Sequence, residues 1–272
     1  QQTDWSAGDG MRSVIPMGLG LGVTGFPYFG HDIGGYADLF AAGPTSKELW
    51  FRWVTLGAMS PVMRTHHGRA ALANWNWESD LESTQHIARW GRLHLRLFPR
   101  LWKAATEASA RGLPMMRPLA VDHPDFEPGW TATDQYVLAG LYVAPVVDQG
   151  ATTRTLTLPA GTWWPLLGGP ALLSDGSKAV TVEAPVSEIP VFVAAGDVVV
   201  LLPDSVQTLT KNHGKAVVGL AAAGDDREIW LFRGGKGSFV EADGTLRYGC
   251  TSAAKSVSMT VPTEASWSGA KV

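Results

Sequence analysis

The residues best suited to chemistry sit in two short stretches, Thr24-Gly-Phe-Pro-Tyr-Phe-Gly-His-Asp-Ile-Gly-Gly-Tyr36 and Ser60-Pro-Val-Met-Arg-Thr-His-His67. In each, a brief apolar run ends in polar, ionisable groups. Asp32 can accept hydrogen bonds from ligand hydroxyls or fix a neighbouring guanidinium. A neutral His66 can donate to one hydroxyl, and Arg64 can orient either partner. Gly34 and Gly35 permit a sharp turn or a close approach to a ligand, and Tyr36 could wall the resulting pocket. A capping Asp with ordinary turn glycines would look the same locally.

Positioning these groups requires strands that end where they stand. The run from Phe26 to Phe29 predicts a short buried strand, with Gly30 releasing the chain so that His31 and Asp32 lie at its end. Pro61 to Arg64 predicts a second strand, and Gly112-Leu-Pro-Met-Met-Arg-Pro-Leu119 a third. Helical patterns separate them. Ser13–Val23 is apolar and glycine-rich. Thr45-Ser-Lys-Glu48 and Ser79-Asp-Leu-Glu82 have the form of capping boxes. The helix begun by the first carries Leu49, Trp53 and Leu56 on one face, with Arg52 beside it as an expected ion-pair partner. The helix begun by the second meets Pro99, which should kink or divide it. Strands alternating with helices, and delivering polar groups to strand ends, predict part of a β/α barrel. Trp75 and Trp77 lie on a loop just after the second strand, either as a platform for a sugar ring or packed down as a lid.

Beyond Leu119, β-branched residues alternate with polar ones between prolines and glycines. Strands are predicted at 152–158, 162–166, 178–184, 189–194 and 197–201, the spacing of an antiparallel β-sandwich. Further strands are predicted at 215–221, 226–233, 236–241 and 256–262. The expected organisation is α/β followed by all-β: a barrel part over 1–120, a β-sandwich over 121–203, and a small β-domain over 204–272.

Composition narrows the function. A net charge of −3 over 272 residues gives no reason to expect nucleic acid or an anionic membrane as partner. The one cysteine, Cys250, excludes an internal disulfide framework. No apolar run is long enough to span a bilayer, and no leader peptide pattern is visible at Gln1. His31, Asp32, His66 and His67 lack metal-ligand spacing, so no metal is expected, and no motif calls for a cofactor.

The motifs taken together resemble glycoside hydrolase family 31, the α-glucosidase-like retaining glycosidases. The matching stretches are His31-Asp-Ile-Gly-Gly-Tyr36, Glu48-Leu-Trp-Phe-Arg-Trp53, Gly57-Ala-Met-Ser-Pro-Val-Met-Arg-Thr-His66 and Gly112-Leu-Pro-Met-Met-Arg-Pro-Leu119. Val143-Ala-Pro-Val146, Leu158-Pro-Ala-Gly-Thr-Trp-Trp164 and Ala184-Pro-Val-Ser-Glu-Ile-Pro-Val-Phe192 follow in the same order, so the resemblance covers about residues 1–203.

It implies the C-terminal part of a (β/α)8 barrel followed by antiparallel β-sandwich domains, acting on non-reducing terminal α-linked sugars. Asp32, Arg64 and His66 would grip the terminal sugar, with Tyr36 and Trp75 as further substrate contacts. Retention needs two carboxylates, a nucleophile and an acid/base, about 5–5.5 Å apart. In the family both precede the region covered. Aligning Trp5 with the family's tryptophan after the acid/base puts that Asp immediately before Gln1. A rival alignment reads Trp5-Ser-Ala-Gly-Asp9 as the motif and makes Asp9 the acid/base, but it shortens the distance to Pro16 and Asp32 too far for the intervening helix.

Gln1-Gln-Thr-Asp-Trp5, Tyr36 and Arg64-Thr-His-His-Gly68 are similar to the sulfoquinovosidase-like branch, whose sulfonate-holding Arg and Trp would lie upstream. The chain is therefore expected to need a second polypeptide carrying the N-terminal barrel strands and to be inactive alone, in a bacterial cytoplasm or periplasm. The alternative is a non-catalytic carbohydrate-binding or structural subunit built on such a barrel.

Overall fold

The computed structural model describes residues 1–37, 43–66, 68, 72–211, 214–244, 246–253, 256–260 and 270–271. Helix α1 (Met11–Val23) leads to strand β1 (Gly30–Asp32), and helix α2 (Lys47–Ala58) to strand β2 (Val62–Arg64). Strands β1 and β2 are parallel neighbours with Asp32 directly opposite Arg64. Helix α2 makes the crossover between them, so the unit is βαβ. The strand starts later than its apolar run suggests. Gly30 begins β1 rather than ending it, and Phe26 and Tyr28 are 65% and 56% exposed.

Helix α2 is buried from Leu49 to Ala58, so it has no single apolar face: it is covered all round. Its cap is Ser46, which accepts from the Leu49 amide, one residue later than the capping box placed it. The next helix is likewise capped by Asp80, through the Ser83 amide, rather than by Ser79. Pro99 does divide the long helical pattern, into α3 (Leu81–Arg96) and α4 (Phe98–Arg111), and Gly112 closes α4 in the left-handed conformation.

Arg52 is not an ion-pair residue. It is buried, and its guanidinium donates to four backbone carbonyls, those of Ala151, Ala184, Pro185 and Glu188. It thereby ties α2 to the β-rich part of the chain.

The third predicted barrel strand belongs elsewhere. Strand β3 (Met116–Arg117) is followed by α5 (Leu119–Asp122) and pairs antiparallel with β4 (Tyr136–Leu138). With β5 (Leu141–Val143), β7 (Gly161–Pro165), β8 (Leu172–Ser174) and β10 (Val191–Ala194) it forms a six-stranded sheet in the order β3-β4-β5-β10-β7-β8. Strands β6 (Thr153–Leu156) and β9 (Val180–Glu183) pair as a separate ribbon. Leu156, Val180 and Val182 of the ribbon share a core with Tyr142, Trp163 and Phe192 of the sheet, which makes a sandwich.

Strand β11 (Val198–Leu201), expected in that sandwich, instead pairs with β12 (Glu228–Leu231) and lies with β16 (Ala270–Lys271) in a three-stranded sheet. The sheets therefore divide near 195–197, earlier than Pro203. Strands β13 (Lys236–Val240), β14 (Arg247–Ala253) and β15 (Ser256–Thr260) form the last sheet. A strand predicted over 215–221 is absent, and a short 3-10 turn covers Leu220–Ala223. No described helix is long and apolar enough to cross a membrane.

The β4–β5 hairpin turns on Ala139 and Gly140, both at positive φ, 49° and 83°. Two positive φ values in a two-residue loop suit Asn-Gly far better than Ala-Gly. Ala139→Asn is therefore expected to raise stability by up to about 1 kcal/mol, read as an upward shift of the urea midpoint.

Candidate functional site

Opposite positions on adjacent parallel strands point their side chains to the same face of the sheet. Asp32 and Arg64 occupy such a pair. Arg64 Nε donates to Asp32 Oδ1 at 2.9 Å, and Nη2 donates to the same oxygen. Nη2 also lies 3.2 Å from His66 Nδ1. A guanidinium can only donate, so His66 Nδ1 is the acceptor and the imidazole is neutral, with its proton on Nε2. His66 meets the Tyr36 ring edge to face at 5.2 Å. Four predicted site residues thus converge.

Gly34 and Gly35 make the turn that returns Tyr36 to this cluster, both at positive φ. Gly35 has a further constraint, since a Cβ there would stand 2.5 Å from the Gln2 carbonyl oxygen. The segment Gln1–Thr3 runs alongside: the Gln1 side chain accepts from the Asp32 amide at 2.8 Å, and its carbonyl accepts from the Tyr36 and Ala37 amides. Gly68 sits beneath the Tyr36 ring, where a Cβ would overlap it. Sequence reasoning missed these supporting roles of Gln1 and Gly68, and neither residue type announces them.

The other candidates lie elsewhere. Trp75 donates its indole N–H to Ser83 at 2.9 Å, and both Trp75 and Trp77 are half-buried and pack against the main core. Asp9 sits in the turn before α1, accepting from Ser6 Oγ at 3.1 Å. His67 lies outside the described residues. Arg64 stands between Asp32 and His66, so a cation there would face a guanidinium.

His31 turns away from the cluster. It is buried, accepts from Trp53 Nε1 at Nδ1, and lies 2.9 Å from Ser60 Oγ at Nε2. With Nδ1 accepting, Nε2 carries the proton and donates to Ser60, whose hydroxyl donates to Leu56 O. Trp53 lies on α2 and Ser60 just after it, so His31 pins β1 to α2 directly beside Asp32. Burial first, then the Arg64 charge, pushes its pKa down from 6.5 to about 3. The unfolded chain therefore binds a proton that the folded chain refuses between those values. Stability should be fully present above pH 6.5 and be lost as pH falls from 6.5 towards 3. Denaturation midpoints across that range should fall, and less steeply in His31→Gln.

Two paired parallel strands carrying a polar cluster, followed by an antiparallel sandwich, define the class: a β/α barrel part joined to C-terminal β-domains. The family follows from comparison. The profile of the glycosyl hydrolases family 31 TIM-barrel domain matches residues 2–104, and that of the family 31 C-terminal domain matches residues 112–199. The chain belongs to glycoside hydrolase family 31.

It is 39% identical over 196 residues to the sulfoquinovosidase of Escherichia coli, covering 72% of this chain and 28% of that protein. It is 27% identical over 251 residues to alpha-glucosidase 2 of Bacillus thermoamyloliquefaciens, covering 88% and 30%. A solved dextranase of Flavobacterium johnsoniae, in complex with isomaltotriose, superposes with a TM-score of 0.75 at 26% identity, over 92% of this chain and 31% of that one. The chain thus spans under a third of the length of each of these relatives.

Proposed function

We propose that this chain is the C-terminal portion of a retaining α-glycoside hydrolase and holds the non-reducing terminal sugar of an α-linked substrate. The observation that carries the reading is the Asp32–Arg64–His66 chain at the ends of paired parallel strands, the end of a β/α architecture where chemistry is usually built. In it Asp32 Oδ2 and His66 Nε2–H are available as acceptor and donor for neighbouring sugar hydroxyls, and Tyr36 packs edge to face on His66. Groups that tighten on hydroxyls at an oxocarbenium-like transition state supply rate as well as affinity.

Both catalytic carboxylates would come from outside Gln1–Val272, the acid/base on the residue joined before Gln1. The hydrogen bond from the Asp32 amide to the Gln1 side chain supports this reading. The remaining barrel strands, on a second polypeptide or in the same covalent chain, would pair with the β1–β2 sheet and cover Phe26 and Tyr28. Kinship with a sulfoquinovosidase and an alpha-glucosidase makes α-sulfoquinovosides and α-glucosides the substrates to compare.

The test is hydrolysis of both aryl glycosides by the protein complete with its barrel strands, with the anomer of the first product read by NMR. Retention of the α configuration is expected. His66→Ala should lower kcat/KM by about 1–3 kcal/mol, with an unchanged denaturation midpoint. Saturable sugar binding with no turnover would instead favour a non-catalytic carbohydrate-binding subunit.

A further inference from the structure

A cavity of about 360 Å³ lies where α4, the six-stranded sheet and the β13 strand of the last sheet meet, and none of Asp32, Arg64 or His66 lines it. Its walls hold three ion pairs: Arg100–Asp197 at 2.6 Å, Lys103–Glu107 at 2.8 Å and Arg117–Asp122 at 3.2 Å. Tyr142, Trp163 and Phe239 add aromatic surface to its lining. Arg100 and Arg117 are more than nine-tenths buried, and their Nη groups hold Ala139 O, Asp197 and Asp122 at the wall.

The rim is also strained. Ala139 is the one described non-glycine residue at positive φ, and its carbonyl accepts from Arg100 Nη1 at 2.8 Å. At Gly140, a Cβ would stand 2.8 Å from that same nitrogen, so the turn is shaped around the guanidinium.

We propose that this cavity is a second binding site, for a neutral monosaccharide. Charge decides the ligand class. Three cations face three carboxylates, so an anion reaching the arginines would also meet Asp197, Asp122 and Glu107, and a cation would meet the converse. An apolar guest would strip water from ionised groups and return nothing. A polyhydroxylated ring offers donors to the carboxylates and acceptors to the Lys103 ammonium, while its C–H face can lie against the aromatic lining. The volume is at the small end of ligand pockets, about 300–1,000 Å³, which suits one ring rather than an oligosaccharide. Since helix, sheet and β13 all contribute, occupancy would brace the β-domains against α4.

The experiment uses glucose as probe, on the complete protein carrying Asp32→Ala so that the first site is disabled. Titration calorimetry should show one saturable site, and the melting temperature should rise with glucose concentration. Glu107→Gln is isosteric and lies on a partly exposed stretch of α4. Added to that background, it should weaken binding about tenfold without altering the melting temperature of the free protein. Absence of saturable binding, indifference to Glu107→Gln, or tighter binding of sulfate than of glucose would each overturn the proposal. The outcome is independent of the hydrolase reading, which is judged by turnover in the protein with Asp32 intact.

Discussion

Arg52→Met is expected to destabilise the folded chain by about 3–5 kcal/mol. Arg52 as a whole is 2% exposed, and its guanidinium donates to carbonyls at 2.6, 2.8, 2.8 and 3.0 Å. Methionine preserves the apolar stem that fills the space along α2, so packing changes little. What disappears is the only group that can serve four carbonyls at once from one point. Pro185 O keeps the Glu188 amide as a donor; each of the other carbonyls left buried without one costs about 1–3 kcal/mol, and partial entry of water keeps the total below the simple sum. Arg52→Lys should recover only part of the loss, because an ammonium lacks the planar fork that reaches both Ala184 and Pro185. Urea denaturation followed by tryptophan fluorescence measures both variants. A loss under about 1 kcal/mol for methionine would mean that the loop 184–188 is held by other contacts.

Arg52 also marks where sequence reading stops. Helical periodicity places it next to the buried side of α2, and a lone charge there suggests an acidic partner. Its real partners are carbonyls 99 to 136 residues away, and carbonyls carry no residue signature. The site cluster was far more legible. Once two apolar runs are taken as parallel neighbours joined by one helix, Asp32 and Arg64 need only matching depth to face each other. His66 follows two residues on, back on the same side of the extended chain.

The strand start was legible only in part, since Phe26, Tyr28 and Phe29 read as a strand core while pairing with Val62 begins at Gly30. The run around Met116 is apolar enough for a barrel strand, but Pro114 and Pro118 leave it two paired residues, and its partner is the antiparallel β4. Residues 198–201 are valine-rich and suit either sheet. The turn at Ala195-Gly196, where the Gly196 amide donates to Phe232 O, hands them to the distal one. Choice between sheets depends on partners distant in sequence, which local pattern does not encode.

In the protein complete with its barrel strands, Asp32→Asn and Arg64→Met should each lower kcat/KM by about 10²–10³-fold, and the double variant by little more than either alone. Arg64 delivers two N–H groups to one oxygen of Asp32 and a third contact to His66, so the three act as a unit. Removing the carboxylate frees Arg64 to swing and releases the tautomer of His66. Removing Arg64 leaves a carboxylate that is 13% exposed without the charge that orients it. Groups acting on one another in this way give coupling of about 2 kcal/mol or more in a double-mutant cycle, whereas independent contacts would add.

Stability separates this from a structural role. Arg64 is 48% exposed, and a pair so open to solvent contributes at most about 1 kcal/mol to folding. The expected pattern is therefore a large catalytic loss with a nearly unchanged urea midpoint. Additive losses would show that Asp32 and Arg64 act independently, and losses under threefold that the pair holds the strands together without touching the sugar.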